Sequence, residues 1–206
     1  MKYIVTGGAG FIGSNLVDLL IEENHEVIVI DNFSSGKKEN CNEKAEYFEL
    51  DISDHSNFED LKRILLGSAG VFHLAALPRV QESIDNPLHF EKNNTLSTIN
   101  VLKACADSNV KRLVYSASSS AYGNTIKLPS KEDDPIDPIS PYAMQKYYGE
   151  VACRMFANVY GIETVSLRYF NACGAHIDGT IGEKHNPALP RQTGNPQNSA
   201  AGNPDG

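Results

Sequence analysis

The sequence predicts an α/β fold, a doubly wound parallel sheet with helices on both faces. Apolar, β-rich runs alternate with segments of helical period through most of the chain. The runs are apolar almost without interruption, as strands covered on both faces are. The first of them passes through a glycine-rich turn directly into a helical segment.

Each element follows from its own residues. "KYIVTG" (2–7) reads as the first strand, and a helix follows from about Phe11. "EVIVID" (26–31) and "AEYFELD" (45–51) are the next two strands, with a helix over 56–66. "GVFHLAA" (70–76) is a fourth strand, followed by a long helix from about 88 to 107. "RLVYSAS" (112–118) is a fifth, and the Pro- and Asp-rich "PSKEDDPIDPISP" (129–141) is a loop into a helix from about Pro141. "ETVSLRYF" (163–170) closes the series. "NPALPRQTGNPQNSAAGNPDG" (186–206) holds four prolines, three glycines and almost nothing apolar, so it has no face with which to join a core. The expected organisation is a folded domain over 1–175, then an irregular C-terminal tail over 176–206, a connection remnant and polar, disordered residues. No repeat of 20–50 residues is visible.

At 206 residues and 41% hydrophobic content the chain can bury one substantial core. Its formal charge of −8 disfavours a nucleic acid polymer or an anionic membrane as partner. The first apolar run is too short for a membrane helix and lacks a signal-peptide layout, which makes the expected location cytoplasmic. Cys41, Cys105, Cys153 and Cys173 show no Cys-x-x-Cys spacing and the six histidines are scattered, so free thiols and no metal site are expected.

Gly7, Gly10 and Gly13 lie between the first strand and the first helix, and Gly8, Gly10 and Gly13 also satisfy Gly-x-Gly-x-x-Gly. Such glycines let backbone approach a pyrophosphate at a helix N-terminus, where unpaired N–H groups favour negative charge. Asp31 ends the second strand, where a carboxylate accepts from an adenine ribose and repels a 2′-phosphate. The pattern is that of a Rossmann-type dinucleotide site and favours NAD, while Lys37 and Lys38 leave room for NADP. Tyr142 is the only tyrosine with a lysine four places on, Lys146, on the same face of a helix. Because a phenol is almost wholly protonated at pH 7, Lys146 and a cationic cofactor ring are expected to lower its pKa.

Several ordered motifs now stand together: "TGGAGFIG" (6–13), "DNFSSG" (31–36), "DI" (51–52), "HLAA" (73–76), "NN" (93–94), "SASSSAYG" (116–123), "YAMQK" (142–146) and "RYFNACGAHIDGTIGE" (168–183). With them the chain resembles the extended short-chain dehydrogenase/reductase family, and within it the nucleotide-sugar 4-epimerases of the UDP-glucose type. The resemblance implies that Phe11 and Ile12 lie under the pyrophosphate. Asp31, Asn32, Phe33, Ser34, Ser35 and Gly36 surround the adenosine ribose, and Asp51 and Ile52 flank the adenine. Leu74, Ala75, Ala76 and Asn93 complete the NAD pocket. His73 is either part of this or plain strand core. One departure is Pro78, where many such enzymes carry a lysine.

The same resemblance makes Ser118 the catalytic hydroxyl, with Ser119 and Ser120 as neighbours, and Tyr142 with Lys146 the acid–base pair. Tyr169 and Phe170 adjoin the nicotinamide, and Ser118, Tyr142 and Asn171 meet the substrate. Dehydratases and decarboxylases that resemble this family place acidic residues at the Ser-rich strand end, so chemistry limited to one carbon is implied. That chemistry is inversion at C4 of a UDP-hexose through a transient 4-keto sugar. The UDP-sugar is the expected partner, and a homodimer is allowed. UDP-N-acetylhexosamine or UDP-uronate remain alternatives, as does a non-catalytic NAD-binding module, because members of this family continue past residue 206 into a smaller domain that grips uridine diphosphate. This chain is therefore expected to bind NAD, and to hold UDP-hexose poorly.

Overall fold

The computed structural model describes residues 1–125, 127–174, 176, 179, 181 and 182. Six parallel strands, β1 (Lys2–Thr6), β2 (Glu26–Asp31), β3 (Glu46–Glu49), β4 (Gly70–His73), β5 (Arg112–Ser118) and β6 (Glu163–Tyr169), form one sheet in the order β3-β2-β1-β4-β5-β6. The order reverses between β1 and β4, and in open parallel sheets the crevice beyond the strand C-termini at that point is where ligands bind. Every sequence element of interest ends there.

Register explains the two faces. Ile4 pairs with Ile28 and Val71, and Val71 with Leu113; this row packs on α2 (Phe58–Leu65), α5 (Ser97–Asp107) and α6 (Pro141–Tyr160) through Leu61, Leu65, Val101, Leu102 and Phe156. Burying one such side chain contributes roughly 1.5–3 kcal/mol. On the opposite face Val5, Val27 and Val29 pack on Val17 and Leu20 of α1 (Phe11–Glu22). Along one row of that face burial declines from Val5, fully covered, through part-buried Phe72 and Val114 to Val165, 46% exposed.

The 20-residue α6 shows why its sequence is helical. The Ser140 side chain accepts from the Ala143 N–H, Pro141 occupies the first turn where its missing N–H costs nothing, and Gly161 ends the helix at φ 72°. Two departures from expectation lie between β4 and β5. A short helix, α3 (Val80–Asp85), was not foreseen, being too brief to show a period. The long helix expected over 88–107 is α4 (Pro87–Glu91), a π-helical turn over Lys92–Leu96, and α5. In that turn the Ser97 and Thr98 hydroxyls donate to the carbonyls of Asn93 and Asn94. The tail expected over 186–206 lies outside the described residues, and among the described residues no helix is long and apolar enough to cross a membrane.

Candidate active site

The glycine turn is built by close backbone contact. A Cβ on Gly13 would stand 2.2 Å from the Gly7 carbonyl oxygen, and one on Gly7, at φ 72°, would stand 2.7 Å from the Ala75 nitrogen. No other residue fits either place, so the turn leans directly on the segment after β4 and α1 begins at its base. Gly8 and Gly10 complete the turn, the former pressed on Val29. Phe11 and Ile12 open α1, and Ile12 is exposed at its mouth.

Asp31 is buried at the end of β2 and organises its surroundings. Its Oδ2 accepts from the Ala9 N–H at 3.0 Å and its Oδ1 from the Phe33 N–H at 2.8 Å. A carboxylate has about four acceptor positions, so lone pairs remain on both oxygens for a diol. The Asn32 side chain accepts from Ser34, Phe33 is held at φ 53°, and Gly36 sits against Ala9 and the Asp31 carboxylate. Ser35 lies in the same loop. Asp51 follows β3 and accepts twice from Ser53, while the Ile52 carbonyl accepts from Asn100 of α5 at 2.9 Å. Leu74, Ala75 and Ala76 continue from β4, with the Leu74 and Ala75 N–H groups donating to Thr6.

The polar cluster at the end of β5 meets the first turns of α6. The Tyr142 phenol lies beside the Ser118 hydroxyl. The Ser118 oxygen already accepts from the Ser120 N–H at 3.2 Å and the Ser120 hydroxyl at 2.8 Å, so its own proton points outward as a donor. Burial pushes the Tyr142 phenol up from its usual value while the Ser118 hydroxyl pulls it down. Lys146, 4% exposed, donates to the Ser116 carbonyl at 2.8 Å and lies 5.3 Å over the Tyr115 ring. Burial lowers its pKa to about 8. The expected lowering of the phenol by Lys146 is therefore not what sets Tyr142 in this structure: the ammonium is turned to a carbonyl and an aromatic face, and desolvation dominates. Tyr147 is half-buried under Arg154, and Tyr148 is exposed.

Other expected residues fall at different distances from this centre. Tyr169, at the end of β6, lies beside Ser116; burial pushes its phenol up and the Ser116 hydroxyl pulls it down. Phe170 is exposed and stacks on Tyr122, and Asn171 is exposed beside it. Asn93 turns its side chain back to His89 on the outside of the helix. Its neighbour Asn94 is the one directed inward, bonding the Leu77 N–H, the Leu77 carbonyl and Gln145 of α6. The π-helical turn rotates the second asparagine inward, which a regular period over 88–107 does not reveal. Cys105 and Cys153 are buried in the core, all four thiols are free, and among the described residues no group of side chains could hold a metal.

Comparison with known proteins accords with this geometry. Residues 3–195 match the family described as NAD dependent epimerase/dehydratase. A UDP-glucose 4-epimerase of Lactobacillus helveticus is 41% identical over 187 residues, 91% of this chain and 56% of that protein. A solved UDP-N-acetylglucosamine 4-epimerase of Methanobrevibacter ruminantium, in complex with UDP-N-acetylmuramic acid, is 42% identical with a TM-score of 0.79, covering 84% of this chain and 56% of that one. A UDP-glucose 4-epimerase of Brucella ovis in complex with NAD is 35% identical with a TM-score of 0.86, covering 91% and 57%. The chain thus spans a little over half the length of the relatives it matches. A glycine turn on a parallel sheet, a buried Asp31 at the end of the second strand and Tyr142 beside Ser118 with Lys146 one turn along accompany a match over most of the chain, which places it in the NAD dependent epimerase/dehydratase family.

Proposed function

We propose that this chain carries the dinucleotide seat and the acid–base centre of a nucleotide-sugar 4-epimerase, with NAD as cofactor and UDP-glucose and UDP-galactose as the interconverted pair. The observation that carries the reading is the placement of Tyr142 beside Ser118 at the C-terminal end of β5, with Lys146 buried one turn along α6. The residues fit NAD: the turn admits no Cβ at Gly7 or Gly13, as a backbone cradle for a pyrophosphate requires, and both Asp31 oxygens keep acceptor capacity for a ribose diol. When bound, NAD supplies the hydride acceptor and donor for C4 of the sugar.

The chain's own residues handle the proton. Tyr142 Oη takes the proton of the 4-hydroxyl as the keto sugar forms and returns it when the alcohol is restored on the opposite face. Ser118, whose oxygen is saturated by Ser120, donates to the reacting oxygen and holds it beside Tyr142. Lys146, fixed by the Ser116 carbonyl and Tyr115, holds its positive charge beneath the pair. Ser118, Ser119 and Ser120 supply no carboxylate, which favours epimerisation over elimination.

A UDP-N-acetylhexosamine substrate is a second reading, favoured by the 42% identity to the Methanobrevibacter enzyme. We also read the apolar stripe Met144, Tyr148, Val151, Met155 and Val159, exposed along α6 at helical spacing, as the face on which a second copy packs. Sedimentation equilibrium of the chain and of Val151→Asp should give a dimer and a monomer respectively.

The function is tested by calorimetric titration with NAD and NADP, and by following UDP-galactose to UDP-glucose in this chain or a longer one containing it. NAD is expected to bind more tightly than NADP, and any turnover should fall by on the order of 10²-fold or more in Tyr142→Phe. Absence of NAD binding, or turnover undiminished by the loss of Tyr142, overturns the reading.

A further inference from the structure

His73 is buried and takes no part in the proton chemistry above, yet its hydrogen bonds are completely specified. The Thr98 hydroxyl donates its only proton to the Asn94 carbonyl, an acceptor that has no proton to give, at 2.6 Å. Thr98 Oγ1 must therefore accept from His73 Nε2, 3.0 Å away, which makes Nε2 the protonated nitrogen. In a neutral imidazole Nδ1 is then an acceptor, and Thr6 Oγ1, at 2.7 Å, donates to it. Thr6 in turn accepts from the Ala75 N–H at 3.3 Å. Burial, with the Lys146 charge as a lesser cause, lowers the imidazole pKa to about 3, so the ring stays neutral at any working pH.

The chain of bonds has a direction and two ends. One end is Ala75, whose backbone touches Gly7 of the glycine turn. At the other end is Asn94 in the π-helical turn, whose side chain grips the Leu77 backbone and donates to Gln145 Oε1 at 3.2 Å. Gln145 immediately precedes Lys146 on α6 and is itself 3% exposed. Thr6, His73, Thr98 and Asn94 are each 2% exposed or less, so water cannot replace a lost member of the series.

We propose that His73, as its neutral Nε2–H tautomer, is a positioning residue that ties the dinucleotide-side segment Leu74–Ala76 to Asn94 and through it to the helix bearing Tyr142 and Lys146. His73 touches neither the cofactor seat nor the reacting oxygens; it holds the two halves of the site in one relation. The proposal rests on the functional reading for its consequence, and on the bond geometry with the burial of the ring for the tautomer, so the two are tested separately.

The first test uses the full chain labelled with 15N-histidine, with the His73 signals assigned by their loss in His73→Asn. Two-bond correlation spectra should show a protonated Nε2 and an unprotonated Nδ1, unchanged from pH 5 to pH 8. A protonated Nδ1, or titration within that range, overturns the proposal whatever the chain does with NAD. The second test is Thr98→Val, which removes the link while leaving both ends of the series intact. It should shift the Gln145 side-chain amide signals and weaken NAD binding by about tenfold, the loss expected for one buried hydrogen bond. Thr98→Ser, which restores the hydroxyl, should recover both. A folded Thr98→Val chain with unmoved Gln145 signals and undiminished NAD affinity sinks the positioning role. Failure of the wild-type chain to bind NAD would count against the functional reading alone, since the histidine spectra and the Gln145 signals do not depend on it.

Discussion

At the scale of single residues, the chemistry turns on what surrounds each ionisable group rather than on its type. Nine tyrosines are present, and Tyr142 alone combines a Ser118 partner with a lysine one turn on. Replacing it by Phe should reduce epimerisation by on the order of 10²-fold or more, the contribution of a positioned acid–base group, while Tyr148→Phe should change it little. Steady-state rates with UDP-galactose decide this. Asp31 makes a second prediction at this scale. Its carboxylate both orders the turn through Ala9 and Phe33 and keeps capacity for a ribose diol. Asp31→Ala should therefore weaken NAD more than NADP and narrow the preference between them, as read by titration with each. An unchanged ratio would remove Asp31 from cofactor selection.

Among the elements, β5 and α6 act as one unit because Tyr115 reaches from the strand under the helix. Its ring carries the Lys146 charge, and its hydroxyl lies where a Cβ on Gly149 would come within 2.2 Å. That is why a glycine is tolerated in the middle of a helix, where it ordinarily costs about 1 kcal/mol. Gly149→Ala should destabilise the fold by about 1–3 kcal/mol despite the better helix former, since overpacking forces the ring or the helix to move. Denaturant unfolding measures the change, and a stabilised variant would contradict the contact. Next along α6, buried Glu150 and part-buried Arg168 form a two-pronged pair joining α6 to β6, and Arg168 also covers the Tyr122 ring. The two elements on either side of the acid–base centre are thereby locked from both ends.

For the molecule as a whole, the buried groups set how stability responds to pH. The folded imidazole of His73 titrates at about 3, below its ordinary 6.5. Between those values the unfolded chain binds a proton that the folded chain refuses, so stability falls as pH falls through that window, by about 1.4 kcal/mol per pH unit at most. Lys146 has the same sign at higher pH: its folded value near 8 lies below 10.5, so its contribution to stability rises with pH between them. Unfolding measured from pH 7 to pH 4 should show a shallower decline in His73→Asn than in the wild type. Parallel slopes would mean that His73 is not the group responsible. The sheet adds a second property of the whole: Val165, Leu167 and Phe170 are exposed around β6, where the α1 side of the sheet has no helix among the described residues. Such a surface should bind a hydrophobic dye until another surface covers it.

Alternating apolar runs and helical segments were enough to specify the parallel sheet, because the central strands are covered on both faces and read as nearly continuous apolar runs, with helical crossovers between them. The glycine turn and the Tyr142–Lys146 spacing were legible because each is a local relation, complete within a few residues of chain, and Asp31 was legible as the polar end of an apolar strand. Relations between distant segments were not. The inward turn of Asn94 in place of Asn93 goes with a π-helical turn whose Asn93 and Asn94 carbonyls accept from the Ser97 and Thr98 hydroxyls. The partner of Lys146 is a carbonyl thirty residues away in sequence, and the direction of the Thr6–His73–Thr98 bonds requires three elements to be in register at once. Hydrogen bonds of this kind are selected by packing, since a buried donor takes whichever acceptor the folded chain brings within reach, and a linear pattern of residues does not encode which one that is.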